Sequence, residues 1–269
     1  MSDKHLGNSR LTVIILTLNN ADTIAECINS VDWADEILVY DSGSSDDTQS
    51  IAEKLGVTFI VDLDWSGFGV QRQKAQKHAK GEWLLWIDSD EVVTPELKKN
   101  IQQNLVKADD KQAFSMNRVT DFFGRFIRHS GWHPDRIVRL YARDSYQYDA
   151  ATVHEKVSCP GDRVTSLEGD LLHYTSNSFW IYMSKSLRYA DDWAKQKYSK
   201  GKKVTVVGII MRSKFAFFRK YILKKGFLDG KHGFLLAVQS SHYTFNKYFA
   251  LWVLCKNKTP TQRSFHKDK

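Results

Sequence analysis

The sequence has few cysteines, and their positions give them no shared structural role. The three, Cys27, Cys159 and Cys255, lie far apart without a CxxC pair, so we expect neither a disulfide framework nor a zinc site. No apolar run approaches ~18 residues, which argues against a membrane-spanning helix. The first ten residues contain no apolar segment, so we expect no secretory signal. Internal repeats and low-complexity tracts are also absent. These absences favour a globular protein of a reducing cytoplasm.

Negative charge is scarce in the last quarter of the 269-residue chain. Residues 201–269 carry 12 lysines and 3 arginines against only Asp229 and Asp268, and the remainder of the chain is acidic. A basic, aromatic segment faces an anionic partner or is simply a solvated surface. On amphipathic helices this composition suits an anionic membrane surface, and the alternative is a packed helical subdomain with a basic outer face. Nucleic acid is not expected as a partner, because no groove-reading motif is present.

Strands and helices alternate along the first part of the chain. Apolar runs predict strands at residues 11–18, 36–40, 57–61, 83–87, 114–119 and 135–141, and helical spacing predicts helices at residues 24–31, 48–55, 70–79 and 96–106. This rhythm predicts βαβ units and hence an α/β fold with a parallel sheet. In the basic segment, residues 204–218 and 234–254 are apolar stretches broken by basic residues.

Polar clusters follow three of the predicted strands: Thr17–Asn20, Asp41–Thr48 and Asp88–Glu91. In parallel sheets, ligands bind beyond the carboxyl ends of the strands. Asp41–Thr48 either wraps a nucleoside, with an aspartate accepting hydrogen bonds from ribose or base, or is an ordinary strand-to-helix loop. The coincidence of the three clusters predicts a ligand site at this edge.

Three acids, Asp88, Asp90 and Glu91, crowd together directly after the buried strand. The repulsion between their carboxylates must be offset, and a bound cation usually does this. If the strand geometry persists through Asp88-Ser89-Asp90, the two aspartates point the same way and can reach one Mg²⁺ or Mn²⁺ ion. Otherwise the acids form a solvated turn before the next helix.

Several motifs together resemble the inverting family-2 glycosyltransferases of GT-A fold. They are "ILTLNN", "VYDSGSSDDT" and "QRQKAQKHAKGEWLLWIDSDE", and downstream "GWHPDRIVRLY", "VHEKV", "LLHYT" and "GFLDGKHGF". The later motifs look like the branch that includes lipopolysaccharide inner-core glucosyltransferases. The resemblance implies a GT-A catalytic domain at residues 8–200, with a Rossmann-like nucleotide-binding mixed sheet flanked by helices. Residues 201–269 would form a basic, mainly helical extension facing the membrane or the acceptor.

The resemblance also implies residues that bind the nucleotide-sugar. Asp41 matches the aspartate that contacts uracil or ribose, and Thr17 and Asn19 lie in the loop beside the base. Arg72 would hold the nucleotide or its diphosphate. Gln73 departs from the pattern, since many relatives have asparagine at this position.

The metal site implied by the resemblance contains the DxD pair, Asp88 and Asp90. The second aspartate usually binds the metal, and the first meets the ribose or the metal. His173 is a candidate to complete the shell of a Mg²⁺ or Mn²⁺ ion, because imidazole is an acceptable ligand for Mn²⁺. The alternative is a half-buried histidine with a structural partner.

An inverting transfer needs a carboxylate that deprotonates the acceptor hydroxyl. We assign this role to Glu155, with His154 beside it, and the alternative for Glu155 is a surface ion pair. Asp135 and Glu91 are further candidates. The chain lacks the "ED" or "QxxRW" pair of some relatives, which leaves the base open and argues against polymer synthesis.

Two further groups are candidates for binding the acceptor. Arg139 either orients a phosphate or acceptor, or pairs with an acid of the DxD loop. Trp132, with Phe122 and Phe123, forms either a sugar-stacking wall or part of a core.

The sequence thus predicts a metal-dependent inverting glycosyltransferase, cytoplasmic and peripheral to the cytoplasmic face of the inner membrane. It would transfer glucose from UDP-glucose to a heptose of the lipid A–core, a lipid-linked saccharide. One alternative is a transferase with another donor or acceptor in cell-surface glycan synthesis, since donor choice depends on few contacts. Others are a non-catalytic module that binds nucleotide-sugar or anionic membrane, and a basic nucleic-acid or membrane adaptor.

Overall fold

The computed structural model describes residues 10–152, 155–175 and 178–256. The chain forms two compact units, the first made of residues up to Thr120 together with Pro134–Tyr174, and the second of Asp121–His133 together with residues from Thr175 onward. The domain boundary expected between residues 200 and 201 rests on composition and stays a prediction. The second compact unit also includes the helix Phe179–Ser199, which lies before this expected boundary.

The first unit contains an eight-stranded mixed sheet in the order β3-β2-β1-β4-β7-β6-β8-β5. Its strands are β1 (Leu11–Thr17), β2 (Glu36–Asp41), β3 (Thr58–Val61), β4 (Trp83–Asp88), β5 (Glu91–Val93), β6 (Ala113–Thr120), β7 (Arg136–Ala142) and β8 (Val164–His173). β3, β2, β1 and β4 are parallel, and β7 joins β4 in antiparallel orientation. The predicted α/β class is confirmed, and the sheet is mixed, as the resemblance implied.

Four helices belong to the same unit: α1 (Ile24–Asn29), α2 (Thr48–Lys54), α3 (Phe68–Gln76) and α4 (Pro95–Leu105). α4 shows how the sequence specifies them. Thr94 accepts a hydrogen bond from the Leu97 amide, Pro95 occupies the first turn, and Leu97, Ile101 and Leu105 are buried at intervals of four. All four helices lie within or close to the predicted ranges.

The two central strands of the parallel part, β1 and β4, are buried on both faces. All seven residues of β1 are buried, as are the first five of β4, which explains their continuous apolar sequence. β5 and β8 were not predicted. β5 has only three residues, and β8 has two buried residues in ten without regular alternation, so neither carries a clear period-two pattern.

The second unit is mainly helical, and it contains α5 (Phe179–Ser199), α6 (Val206–Phe218) and α7 (Gly230–Lys256). α6 and α7 confirm the expected helical C-terminal part. A short π-helical turn, Arg219–Leu223, continues α6. Among the described helices, none is both long and apolar enough to span a membrane.

Candidate functional site

The three polar clusters meet at the carboxyl edge of the parallel strands, as predicted. Thr17 at the end of β1 pairs in register with Asp41 at the end of β2. On the other side of β1, Leu16 pairs with Asp88 at the end of β4. The sheet therefore brings the loops that follow β1, β2 and β4 together at one place.

The loop after β2 is organised by the carboxylate of Asp41, which is buried. Its Oδ1 accepts hydrogen bonds from the amides of Gly43 (2.8 Å) and Ser44 (2.7 Å), and its Oδ2 accepts one from the Ser44 hydroxyl. Asn19 reaches the same loop, because its amide donates to Ser44 Oγ at 2.8 Å and its Oδ1 accepts from the Ser45 amide at 2.8 Å. Asp41 and Asn19 therefore fix the shape of the loop that follows β2.

Asn20 connects the loops, a role that the sequence analysis missed. Its side-chain oxygen accepts hydrogen bonds from Ser89 Oγ (2.8 Å) and Thr17 Oγ1 (3.3 Å). Its backbone amide donates to Thr48 Oγ1 at 2.8 Å. The doubled asparagine of "TLNN", each member binding a different loop, is the signal that could have indicated this role.

The DxD segment is not extended. β4 ends at Asp88, Ser89 and Asp90 form a turn, and β5 begins at Glu91. The condition under which both aspartates point the same way is therefore not met. They have different partners instead.

Asp88 lies between two guanidinium groups. Arg72 Nη2 is 2.8 Å from Asp88 Oδ1, and Arg139 Nη2 is 2.7 Å from Asp88 Oδ2. Burial alone would raise the pKa of the Asp88 carboxyl, but Arg139 and Arg72 outweigh it and hold this pKa well below its usual range. Of the two alternatives for Arg139, pairing with an acid of the DxD loop is the one observed.

Arg72 is the central cation of the site and is almost fully buried. Its guanidinium stacks over Tyr148 at 4.8 Å and over Trp86 at 5.4 Å from the ring centroids. Its Nη1 is buried without a hydrogen-bond partner in the described part of the chain. An unsatisfied buried N–H group on a cavity wall is a group that a ligand oxygen can satisfy.

Glu155 shares this arginine with Asp88. Arg72 Nε donates to Glu155 Oε1 at 3.0 Å, so one guanidinium bridges the two carboxylates. Glu155 thus forms an ion pair, as its alternative assignment expected, but with a buried arginine of the site and not at the surface. His154, expected to lie beside Glu155, falls outside the described residues.

The other two candidate bases differ in accessibility. Glu91 is fully buried, accepts a hydrogen bond from the Asp88 amide at 2.8 Å and lies 3.4 Å from Arg139 Nη2. Burial, with Asp88 adding to it, raises the Glu91 pKa. Glu91 has no surface through which to meet an acceptor. Asp135 is partly exposed and lies 2.8 Å from Arg118 Nη2.

Asp90 and His173 form a separate pair at the end of β8. His173 Nε2 is 3.4 Å from Asp90 Oδ2, and its Nδ1 is 3.3 Å from Thr120 Oγ1. Both side chains are partly exposed, and an oxygen with an imidazole nitrogen is a donor set that Mn²⁺ accepts. Within the described residues, no three His, Cys, Asp or Glu side chains converge as a metal cluster. Two protein ligands fit a metal that takes its other ligands from a phosphate or water.

A cavity of about 630 Å³ opens beside Arg72 and Asp88, and Asp90 and His173 are not among the residues that line it. It is lined by Arg72, Asp88, Arg118, Asp135, Arg139, Tyr148 and Glu155, among others. Tyr148 and Arg118 were not predicted as site residues, because neither belongs to a motif. Trp132 lies in the second unit, where it packs edge-on against the buried Phe122 at 5.7 Å between ring centroids.

The fold and the site together define a class. A mixed α/β sheet flanked by helices, with polar loops and an arginine-lined cavity at the carboxyl ends of its parallel strands, is the arrangement of a GT-A-like transferase. The family model of Glycosyl transferase family 2 matches residues 12–190. The chain therefore belongs to glycosyl transferase family 2 and is a glycosyltransferase.

Known relatives agree with this assignment. An uncharacterized glycosyltransferase of Rickettsia felis is 27% identical over 259 residues, which cover 90% of this chain and 88% of that protein. The lipopolysaccharide core biosynthesis glycosyltransferase LpsC of Rhizobium meliloti is 25% identical, covering 87% of this chain and 89% of that protein. Among solved structures, glucosyl-3-phosphoglycerate synthase from Mycobacterium tuberculosis, in complex with Mn²⁺, UDP-glucose and phosphoglyceric acid, is 23% identical. That match has a TM-score of 0.37 and covers 41% of this chain and 44% of that one, so it says nothing about this chain's ligands.

Proposed function

We propose that the protein is a metal-dependent inverting glycosyltransferase that uses UDP-glucose as the donor. The observation that carries the proposal is Arg72, whose guanidinium bridges Asp88 and Glu155 while its Nη1 lacks a partner within the described residues. A diphosphate supplies the oxygen acceptors that such a group needs. The site lies at the edge where α/β sheets bind nucleotides.

Glu155 is the proposed general base. Oε1 accepts the bond from Arg72, and within the described residues Oε2 takes part in no hydrogen bond. A carboxylate held on one side by Arg72 keeps a fixed orientation and can receive the proton of an acceptor hydroxyl. The deprotonated oxygen attacks the anomeric carbon in one displacement, which inverts its configuration as UDP leaves.

Asp90 and His173 are the proposed metal ligands, for Mn²⁺ or Mg²⁺. When bound, the ion supplies positive charge that neutralises the leaving diphosphate. Asp88 is held by Arg72 and Arg139 and is proposed to meet the nucleotide rather than to share the ion equally with Asp90. Thr17, Asn19 and Asp41 would shape the pocket for uracil and ribose.

The proposed acceptor is a heptose of the lipid A–core, reached at the cytoplasmic face of the inner membrane. Support comes from the lipopolysaccharide core biosynthesis relative and from the sequence branch that the downstream motifs resemble. The second unit also exposes large apolar residues beside lysines and arginines, among them Met211 and Phe215 of α6. This combination suits an anionic bilayer surface.

Turnover of UDP-glucose with Mn²⁺ tests the assignment of the base. Glu155→Gln keeps size and polarity but removes the basic oxygen, so transfer should fall about 100-fold or more while UDP binding persists. Glu168→Gln, which changes an exposed glutamate of β8, is the matched control and should leave turnover unchanged. Full turnover by Glu155→Gln would move the role to Asp135, which the Asp135→Asn variant tests.

The same assay separates the remaining alternatives. A non-catalytic module would bind UDP but release no sugar from any nucleotide-sugar. A nucleic-acid or membrane adaptor would ignore UDP and Mn²⁺ and bind polyanions with strong salt dependence.

A further inference from the structure

We propose that a cavity within the second unit binds an anionic sugar, that is, a pyranose or heptose ring carrying a phosphate or carboxylate. Taking this ligand as part of the saccharide acceptor rests on the proposed function. The binding site itself rests only on the geometry of the second unit.

The cavity has a volume of about 360 Å³ and lies among elements of the second unit alone. α5 contributes Tyr182 and Lys185, and α7 contributes Gln239 and Tyr243. This volume is within the range of small-molecule pockets and suits about one or two sugar rings.

The cavity holds positive charge without a matching acid. Lys220, in the turn after α6, is half-buried, and its ammonium lies 5.4 Å from the ring centroid of Trp132. Among the described residues, no carboxylate forms an ion pair with Lys220 or with Lys185, which also lines the cavity. Burial lowers the pKa of Lys220 to about 8, with a further contribution from Arg219. A ligand with a negative group would restore the missing partner.

The remaining walls suit a sugar better than a lipid chain. Trp132, Tyr182 and Tyr243 offer aromatic surface for the C–H face of a ring. Ser186, Gln239 and Ser240 add hydroxyl and amide groups that can bond to sugar hydroxyls. Ligand pockets commonly combine apolar walls with a few such polar groups. A sugar can form hydrogen bonds with these polar groups, whereas a purely apolar ligand cannot.

The wall that carries Trp132 is held in place by a buried acid. The Asp229 carboxylate accepts hydrogen bonds from the Arg128 amide (3.2 Å), the His129 amide (3.1 Å) and the Ser130 hydroxyl (2.9 Å). Trp132 follows two residues later, so the aromatic wall is fixed before any ligand arrives. Such preorganisation reduces the entropic cost of binding.

Titration with glucose 6-phosphate, followed by ligand-observed NMR on the full chain, tests the proposal. Lys220→Met keeps the aliphatic stem and removes the charge, and should weaken binding about tenfold or more. Lys214→Met removes an equal charge from exposed α6 and should bind as wild type. Lys220→Arg should retain binding, which separates the charge from a folding effect.

Three probes define the ligand. Glucose lacks the anion, inorganic phosphate lacks the ring, and glycerol 1-phosphate represents a lipid headgroup without a sugar. Each should bind more weakly than glucose 6-phosphate. Equal binding of glycerol 1-phosphate would assign the cavity to lipid headgroups and contradict the proposal that its ligand is a sugar. Unchanged binding by Lys220→Met would overturn the site.

A parallel UDP titration of the same variants separates this proposal from the donor site. Lys220→Met should bind UDP as wild type does. If wild type binds glucose 6-phosphate but not UDP with metal, the proposed function fails while the second site stands. If UDP binds and glucose 6-phosphate does not, the second site fails while the proposed function stands.

Discussion

Asp88 and Asp90 are two residues apart, yet their surroundings differ sharply. Asp88 is held by Arg72 and Arg139, and its backbone amide donates a hydrogen bond to the carboxylate of Glu91. Among the residues that the structure describes, Asp90 pairs with one ionisable side chain, His173, at 3.4 Å. Asp88 therefore carries a structural role that Asp90 lacks, and Asp90 is the freer of the two to bind a ligand.

This difference predicts unequal costs for the same substitution. Asp88→Asn removes the negative charge that pairs with the buried guanidinium groups of Arg72 and Arg139. It should lower the free energy of unfolding by about 2–3 kcal/mol. Asp90→Asn removes one partly exposed contact and should cost less than about 1 kcal/mol. Urea denaturation at pH 7 measures both, and equal losses would contradict the division of roles.

Lys220 gives the second cavity a pH dependence. Its ammonium is charged below its pKa of about 8 and neutral above it. Sugar-phosphate binding should therefore be strongest at pH 7 and weaken towards pH 9.5, a range in which the phosphate keeps its full charge. Lys220→Arg should flatten this dependence, because guanidinium stays protonated. NMR titrations at four pH values check the profile.

Other ionisable groups surround Lys220. They are Tyr182, Lys185 and Tyr189 on α5, Tyr243 and Lys247 on α7, and Arg219 beside it in the chain. Burial raises the pKa of Tyr182 and of Tyr243, so these phenols stay neutral over the range. A profile that persists in Lys220→Arg would assign the dependence to another of these groups.

At the scale of elements, the start of α3 is docked against the segment that leads to Glu155. The Phe68 amide donates to Thr152 O at 3.3 Å, and the Gly69 amide donates to Ala151 O at 3.0 Å. Gln73, the departure from the family pattern, donates to Tyr148 O at 2.7 Å. α3 thus carries Arg72 and also positions the backbone before Glu155.

Gly69→Ala tests this docking. A Cβ at residue 69 would overlap the carbonyl oxygen of Asp149 and lie 2.8 Å from Ala151 O. Backbone atoms cannot move aside cheaply, so we expect a loss of about 1–3 kcal/mol in the free energy of unfolding together with reduced sugar transfer.

Gly161→Ala is the matched control, because nothing lies within 4 Å of its Cβ position. Stability and transfer should stay at wild-type levels in this control. Wild-type transfer by Gly69→Ala would mean that the segment before Glu155 tolerates displacement.

Helices and strands with a clear apolar pattern could be predicted from the sequence. Contacts between residues far apart in the sequence could not. The buried runs of β1 and β4 indicated strands, and parallel topology then placed their polar ends together. The turn at Ser89-Asp90 stayed one of two alternatives, because the "DSD" letters suit a strand end and a turn equally. The pairing of Arg72 with Glu155 spans 83 residues, and no local pattern encodes it.

At the scale of the whole molecule, the distribution of charge and apolar surface predicts membrane binding. α6 exposes Val207, Met211 and Phe215 at intervals of four, so they lie along one side of the helix. Wild type should co-sediment with phosphatidylglycerol vesicles more than with phosphatidylcholine, and less at high salt.

A double variant tests the α6 surface. Val207→Glu with Met211→Glu adds acids to the apolar stripe and should reduce vesicle binding about tenfold or more. Val106→Glu, at an exposed site that ends α4 in the first unit, is the matched control and should bind as wild type. Equal loss in the control would indicate a general effect of charge.

The proposed function depends on a donor site at the edge formed by the ends of β1, β2 and β4. Calorimetric titration with UDP, with and without Mn²⁺, tests it most directly on wild type and Asp90→Asn. We expect Mn²⁺ to strengthen UDP binding by wild type about tenfold or more, and Asp90→Asn to lose that gain. Failure of wild type to bind UDP in either condition would contradict the account.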